Sequence, residues 1–243
     1  MPLRVRGTPS DFQHKETIVA TTTLGKNKIH YAVEAFERLV ENLIRPSIDR
    51  VAVLSAGNTC RVECDFTSDI ARVRSAIRSL TYTNRDEKTR LWDTLADGAL
   101  AFWRAGRRNV PWVKVDLTDG GDNASTVFKK DPVGAGQFMR NNFTFEPSNY
   151  LALVGVGEDK NINRPALEKF ALAARCPAIA IKDFTLLEDM LLRIALQITT
   201  GLTGVRYSLG SLSWTELQRV RNLVHVPLDL MVTIDRSGSM YVA

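Results

Sequence analysis

Cysteine and histidine are scarce in this chain, with three of each in 243 residues. Cys60, Cys64 and Cys176 are too few, and odd in number, to form a disulfide framework. Cys60 and Cys64 stand four apart in a strand-like run, which puts them ~13 Å apart on one face, well beyond the about 7 Å between Cα atoms that a bridge tolerates. That usage points to a reducing, intracellular setting, and a cytoplasmic location is expected. His14, His30 and His225 are widely separated. None has the spacing of a zinc site, and none adjoins a nucleophile motif, so neither a zinc enzyme nor a Ser-His-Asp or Cys-His hydrolase is indicated. Long apolar runs are missing too: no window reaches 18 apolar residues, so no membrane-spanning helix is expected, and the first residues hold no apolar segment of a secretory signal. Charge is not lopsided, because 32 Lys and Arg against 27 Asp and Glu leave a net charge of +5. The tightest basic groups, Arg104 with Arg107 and Arg108 and Lys129 with Lys130, read as solvated surface, and a nucleic-acid partner is not expected.

What is present is an ordinary globular composition, 44% hydrophobic and 24% charged, on a chain long enough for one large domain with an unstapled core. Ile29, Ala32, Val33, Phe36, Leu39, Val40 and Leu43 recur at helical spacing and predict a helix over residues 26–44. Val51 to Ser55 is a short apolar strand. After a turn at Ala56-Gly57-Asn58, the alternation of Cys60, Val62, Cys64 and Phe66 with charged residues predicts a second strand closing a hairpin. Further helices are predicted from Ile70 to Leu80, from Leu91 to Phe102 and over residues 164–175, 186–199 and 213–224. Further strands are predicted at residues 112–117, 150–156, 178–181 and 228–234. Residues 120–148, rich in Gly, Asn and Pro, read as a long surface loop or a short helix. Strands separated by helices indicate an α/β, doubly wound, mostly parallel sheet, and the hairpin adds one antiparallel edge strand.

Three segments carry the chemistry. Asp235-Arg236-Ser237-Gly238-Ser239 follows the strand 228–234, Thr89 precedes the helix that opens at Leu91, and Asp119 ends the strand 112–117 in Thr-Asp-Gly-Gly. In open parallel sheets, ligands bind outside the carboxyl ends of the strands. If the two strands are neighbours, Asp235 and Asp119 face one crevice. Two carboxylates and the hydroxyls of Ser237, Ser239 and Thr89 are hard oxygen donors, a set suited to Mg²⁺, with Mn²⁺ the second candidate. Two carboxylates at most neutralise a dication, so it stays electrophilic toward an acidic group from outside. Thr118 and Asp93 flank the constellation. Thr118 reads as structural support, and Asp93 as a residue of the helix surface that has the option of orienting the Thr89 loop.

The constellation resembles the metal-ion-dependent adhesion site of von Willebrand factor type A domains. In that family Asp-x-Ser-x-Ser follows the first strand, a Thr precedes the third helix and an Asp lies in a Thr-Asp-Gly turn after the fourth strand. Asp235, Ser237, Ser239, Thr89 and Asp119 match it residue by residue. Val154-Gly155-Val156-Gly157 is similar to the family's fifth strand and turn, and Leu167 to Ala174 to the helix that follows. The resemblance implies a Rossmann-like fold and a non-enzymatic, Mg²⁺-dependent protein-binding module, with those five residues holding a metal that accepts an Asp or Glu of a protein partner.

Order is where the chain departs from the family. The Asp-x-Ser-x-Ser strand comes last instead of first, and the helix that would follow it, residues 26–44, lies near the amino end. This reads as a circular permutant: an arm over residues 1–25, then one domain over residues 26–243 whose metal-site strand, residues 228–240, is at its carboxyl end. A competing reading places Thr17 to Leu24 as an unpermuted first strand, and assigns the terminal motif to a truncated second domain or a domain swap. The permuted reading is the stronger, because a central slot holds one strand and Leu228 to Ile234 is the more apolar and carries the full motif. From another functional class, a Mg²⁺-dependent phosphate-ester hydrolase would use Asp235 as an aspartyl nucleophile. Against it, no Asp follows two positions later.

Overall fold

The computed structural model describes residues 27–81, 86–119, 121–157, 162–204 and 212–241. The arm 1–25, with the strand-like stretch 17–24 inside it, lies outside the described residues, and the connection 202–227 is described in part.

Among the described residues six strands form one sheet: β1 (Arg50–Ala56), β2 (Arg61–Thr67), β3 (Trp112–Thr118), β4 (Tyr150–Val156), β5 (Ala178–Ile181) and β6 (Asp229–Asp235). Their order across the sheet is β2-β1-β6-β3-β4-β5. Only the β1/β2 hairpin is antiparallel. The last strand of the chain is therefore central. β6 is bonded along its length to β1 on one side, Arg50 opposite Asp229 through to Ala56 opposite Asp235, and to β3 on the other, Trp112 opposite Asp229 through to Leu117 opposite Ile234. A strand covered on both faces reads as a continuous apolar run, and all seven residues of β6 are buried.

The strand period of two sorts side chains into two cores. Leu230, Val232 and Ile234 of β6 join Val113, Val115 and Leu117 of β3 beneath α1 (Lys28–Leu43), α2 (Ile70–Ser79), α6 (Leu187–Thr203) and α7 (Trp214–Leu223). Met231, Trp112, Leu151 and Leu153 join the opposite core under α3 (Leu91–Ala105), α4 (Pro132–Asn142) and α5 (Arg164–Ala174). The doubly wound expectation holds. Helix starts follow their caps: Asn27, Asp69, Asp131 and Asn163 each accept a first-turn N–H, and Ser213 with Glu216 forms a capping box at α7.

Two expectations need correction. Residues 120–148 contain an 11-residue helix, α4, longer than a loop or short helix. It packs closely on α5, where a Cβ at Gly136 would stand 2.5 Å from the Phe170 carbonyl oxygen. Cys60 and Cys64 do not share a face, for Cys64 is buried in the first core and Cys60 packs against the second. Cys60 precedes the first residue of β2, and register shifts interrupt the hairpin between Val51 and Leu54, so the simple alternation does not reach it. All three cysteines are free.

The amino end of the sheet is closed by ion pairs on two buried aspartates. Asp229 accepts from Arg50 Nη2 at 2.6 Å, Arg107 Nε at 2.9 Å and the Arg107 backbone N–H at 2.7 Å. Next to it, Asp49 accepts from Arg221 Nη2 at 2.9 Å and from the Leu228 N–H at 3.0 Å, which fixes the chain as it enters β6. No helix among the described residues is long and apolar enough to cross a membrane.

Candidate metal centre

The carboxyl end of the sheet is built differently. β6 ends at Asp235, fully buried. Its carboxylate is held by neutral groups: the Ser237 backbone N–H donates to Oδ1 at 2.7 Å, Thr118 Oγ1 to Oδ2 at 2.9 Å, and Thr89 Oγ1 to Oδ1 at 3.3 Å. Thr118 thus supports the site, as its position at the end of β3 suggested. Beside this group, Asp119 Oδ1 accepts from Ser239 Oγ at 2.7 Å and from Ser237 Oγ at 3.4 Å, and the two serine hydroxyls are 2.8 Å apart. All five residues singled out in the sequence meet here. Asp119, Thr89 and Ser237 are buried, and Ser239 is exposed and forms the mouth.

Each donor is positioned by a local cause. The turn after β6 is tied to β1 by the Arg236 N–H on the Ala56 carbonyl at 2.7 Å, and to the loop before α3 by the Asp86 N–H on the Arg236 carbonyl at 3.0 Å. The buried Arg236 guanidinium pairs with the Asp86 carboxylate. Gly57 permits that pairing, since a Cβ there would stand 1.8 Å from Asp86 Oδ2. Ser239 lies in a short 3-10 turn, Gly238–Tyr241, pinned by the fully buried Met240 and by Tyr241 Oη donating to the Leu80 carbonyl at 2.8 Å. Thr89 is held by Asn123: its N–H donates to Asn123 Oδ1 at 2.8 Å, and its carbonyl accepts the Asn123 N–H at 3.1 Å.

Asp93 is not on the helix surface. It is 3% exposed, because the loop after Asp119 folds over it. The backbone N–H groups of Thr126, Val127 and Phe128 donate to its carboxylate at 2.7, 3.3 and 3.0 Å, and Arg90 Nη2 at 2.7 Å. Burial pushes the Asp93 carboxyl up, but these donors outweigh it and hold it at about 2. Asp93 therefore links the start of α3 to the loop that carries Asn123, the partner of Thr89. For Asp235 the balance is reversed: burial first, then the Asp119 charge, push its carboxyl up to about 6. Among the described residues no basic side chain pairs with Asp235, whereas Lys28 Nζ, at the start of α1, lies 2.9 Å from Asp119 Oδ2. Lys28 had no signal in the sequence beyond its place at a helix start.

The donor set decides which ion fits. It holds two carboxylates and three hydroxyls, without sulfur or imidazole, and no group of three or more His, Cys, Asp or Glu gathers among the described residues. Such a set is too poor in charge and in soft donors for a structural zinc site, and suits a hard, oxygen-preferring dication. A cleft of about 490 Å³ lies nearby, lined by residues that include Trp92, Asp122, Lys130 and Lys169, and it contains none of the five.

Comparison with known proteins bears on the fold. Residues 17–121, less than half of the chain, match the family model of the von Willebrand factor type A domain. The match begins ahead of α1, where an unpermuted first strand would stand. No curated protein sequence matches the chain. Among solved structures, a von Willebrand factor type A protein from Catenulispora acidiphila superposes with a TM-score of 0.55 at 19% identity, over 70% of this chain and 38% of that one. The conserved hypothetical protein BatB from Bacteroides thetaiotaomicron gives 0.52 at 13% identity, over 69% and 86%. Proximal thread matrix protein 1 from the mussel byssus, in a structure with a zinc-occupied metal-ion-dependent adhesion site motif, gives 0.52 at 12% identity, over 70% and 42%. The chain thus spans well under half the length of the Catenulispora and mussel proteins. The fold is the Rossmann-like fold of von Willebrand factor type A domains.

Proposed function

We propose that this chain is a protein-binding module, not an enzyme, whose site holds Mg²⁺, with Mn²⁺ as a substitute, and captures an Asp or Glu side chain of a protein partner. The observation that carries the reading is the convergence of Asp235, Ser237, Ser239, Thr89 and Asp119, from three separate loops, into one hydrogen-bonded cluster of oxygen donors. When bound, the ion supplies a Lewis-acidic position for an incoming carboxylate. The chain supplies the rest. Asp235 and Asp119 give the charge, Ser237, Ser239 and Thr89 complete the donor set, and Thr118, Asn123 and the Asp86–Arg236 pair fix them in place. The zinc in the mussel protein's motif supports a divalent ion at this place in the fold. An all-oxygen donor set favours magnesium in this chain.

The same reading takes the order of elements to be circularly permuted within one domain over residues 26–243, with residues 1–25 as an arm. Its support is β6, which fills the central position between β1 and β3 and delivers Asp235 to the site.

Water-proton relaxation with Mn²⁺ tests both parts. One ion should bind per chain, it should be lost in Asp235→Ala and Asp119→Ala, and its relaxation enhancement should fall when a glutamate-containing peptide is added. A chain lacking residues 1–24 should retain the ion. Absence of bound Mn²⁺ rejects the metal site, and its loss on removing 1–24 alone shows that the arm is needed for the site.

A further inference from the structure

Asp119 is the only one of the two site carboxylates that meets a basic side chain among the described residues, and its two oxygens are divided. Oδ1 faces the hydroxyls of Ser237 and Ser239, and Oδ2 faces Lys28 Nζ at 2.9 Å. Lys28 reaches across 91 positions of sequence because α1 is fixed beneath it. Asn27 caps the helix through the His30 N–H, and Ile29, Ala32 and Val33 are buried in the core. The Asp119 side chain is fully buried, whereas that of Lys28 is 27% exposed. The ammonium also lies 5.9 Å from the centroid of the Phe184 ring, a second partner for a cation that leaves the carboxylate. The lysine arm is thus anchored at its root in the core and reaches the buried carboxylate from a partly exposed position.

Building on the metal-binding reading above, we infer that Lys28 sets the affinity of this site: its ammonium is a tethered cation that opposes a divalent ion at Asp119. Two positive centres sharing one carboxylate repel, and even with the full screening of water, a dielectric near 80, a separation of about 6 Å lowers affinity about tenfold. The consequence is functional. Two aspartates, one lysine and one dication sum to a net charge of +1, so a carboxylate from outside restores neutrality. Lys28 makes the ion alone bind weakly and the ion together with an acidic partner bind well, which is positive coupling between two ligands of one site.

Calorimetric titration of MgCl₂ into the wild-type chain, Lys28→Met and Lys28→Arg tests this, with thermal unfolding to show that each variant folds. The expected result is about tenfold tighter binding in Lys28→Met, wild-type affinity in Lys28→Arg, and a difference between wild type and Lys28→Met that narrows as salt is raised. Adding sodium glutamate should tighten Mg²⁺ binding more in the wild type than in Lys28→Met. Equal affinities overturn the proposal and leave the metal site standing. Weaker binding in Lys28→Met overturns it as well, and makes Lys28 a positioning residue for Asp119. No uptake by any of the three proteins rejects the metal site, and the role of Lys28 with it.

Discussion

The two ends of β6 pose the same problem and solve it in opposite ways. Asp229 and Asp235 are both fully buried aspartates on the same strand, on the same face of the sheet. At the amino end, Asp229 is neutralised by Arg50 and Arg107 and further bonded by a backbone N–H. At the carboxyl end, Asp235 meets one backbone N–H and the hydroxyls of two threonines, with a second carboxylate close by. One end is a closed structural clamp, and the other supplies a single lysine, at Asp119, for two carboxylates and no basic side chain, among the described residues, at Asp235. Burial of an acid is therefore no sign of function by itself, and what distinguishes a site is whether the chain supplies the counter-charge.

The comparison breaks most sharply at Asp229. Removing that carboxylate in Asp229→Ala leaves two arginines facing a buried gap, and should cost about 3 kcal/mol in chemical denaturation while leaving metal affinity unchanged. A cost near zero would show that the clamp does not hold β6 in place. A smaller effect sharpens the contrast at Asp93. Its folded carboxyl sits at about 2 against an ordinary 3.8, so its contribution is present above about pH 4 and is lost as pH falls through that range toward 2. Asp93→Asn should therefore cost about 1–2 kcal/mol at neutral pH. The gap between wild type and variant should close in acid, as followed by urea denaturation across pH. A gap independent of pH would mean that the shape of the side chain, not its charge, holds the loop.

Much of this architecture was legible in the residues. The apolar stripe of α1, the alternation in β2 and the continuous runs of β3, β4 and β6 each carry the period of the element they form. The five oxygen donors were legible because each sits next to a recognisable boundary, the end of an apolar strand or the start of a helix. What escaped depended on contacts between distant segments. Gly134 and Gly136 weaken the helical signal of α4, which is rescued by packing on α5. Asp93 looks like any first-turn acid until the loop 122–128 closes over it. Lys28 is one of many lysines until the fold brings it to Asp119. Cys60 departs from the face expected of it because the hairpin register shifts. Local pattern reaches these residues, but their partners are set by tertiary structure.

The measurement closest to the central claim is thermal unfolding of the chain across a magnesium titration, beside Asp235→Ala. A ligand that binds the native state alone stabilises it by about 2.7 kcal/mol at one hundred times its dissociation constant. The wild-type midpoint should climb with Mg²⁺ and level off in slope as that law requires, and the Asp235→Ala midpoint should not move. A wild-type midpoint indifferent to Mg²⁺ and Mn²⁺, or a rise of equal size in Asp235→Ala, would contradict the assignment of a metal to this end of the sheet.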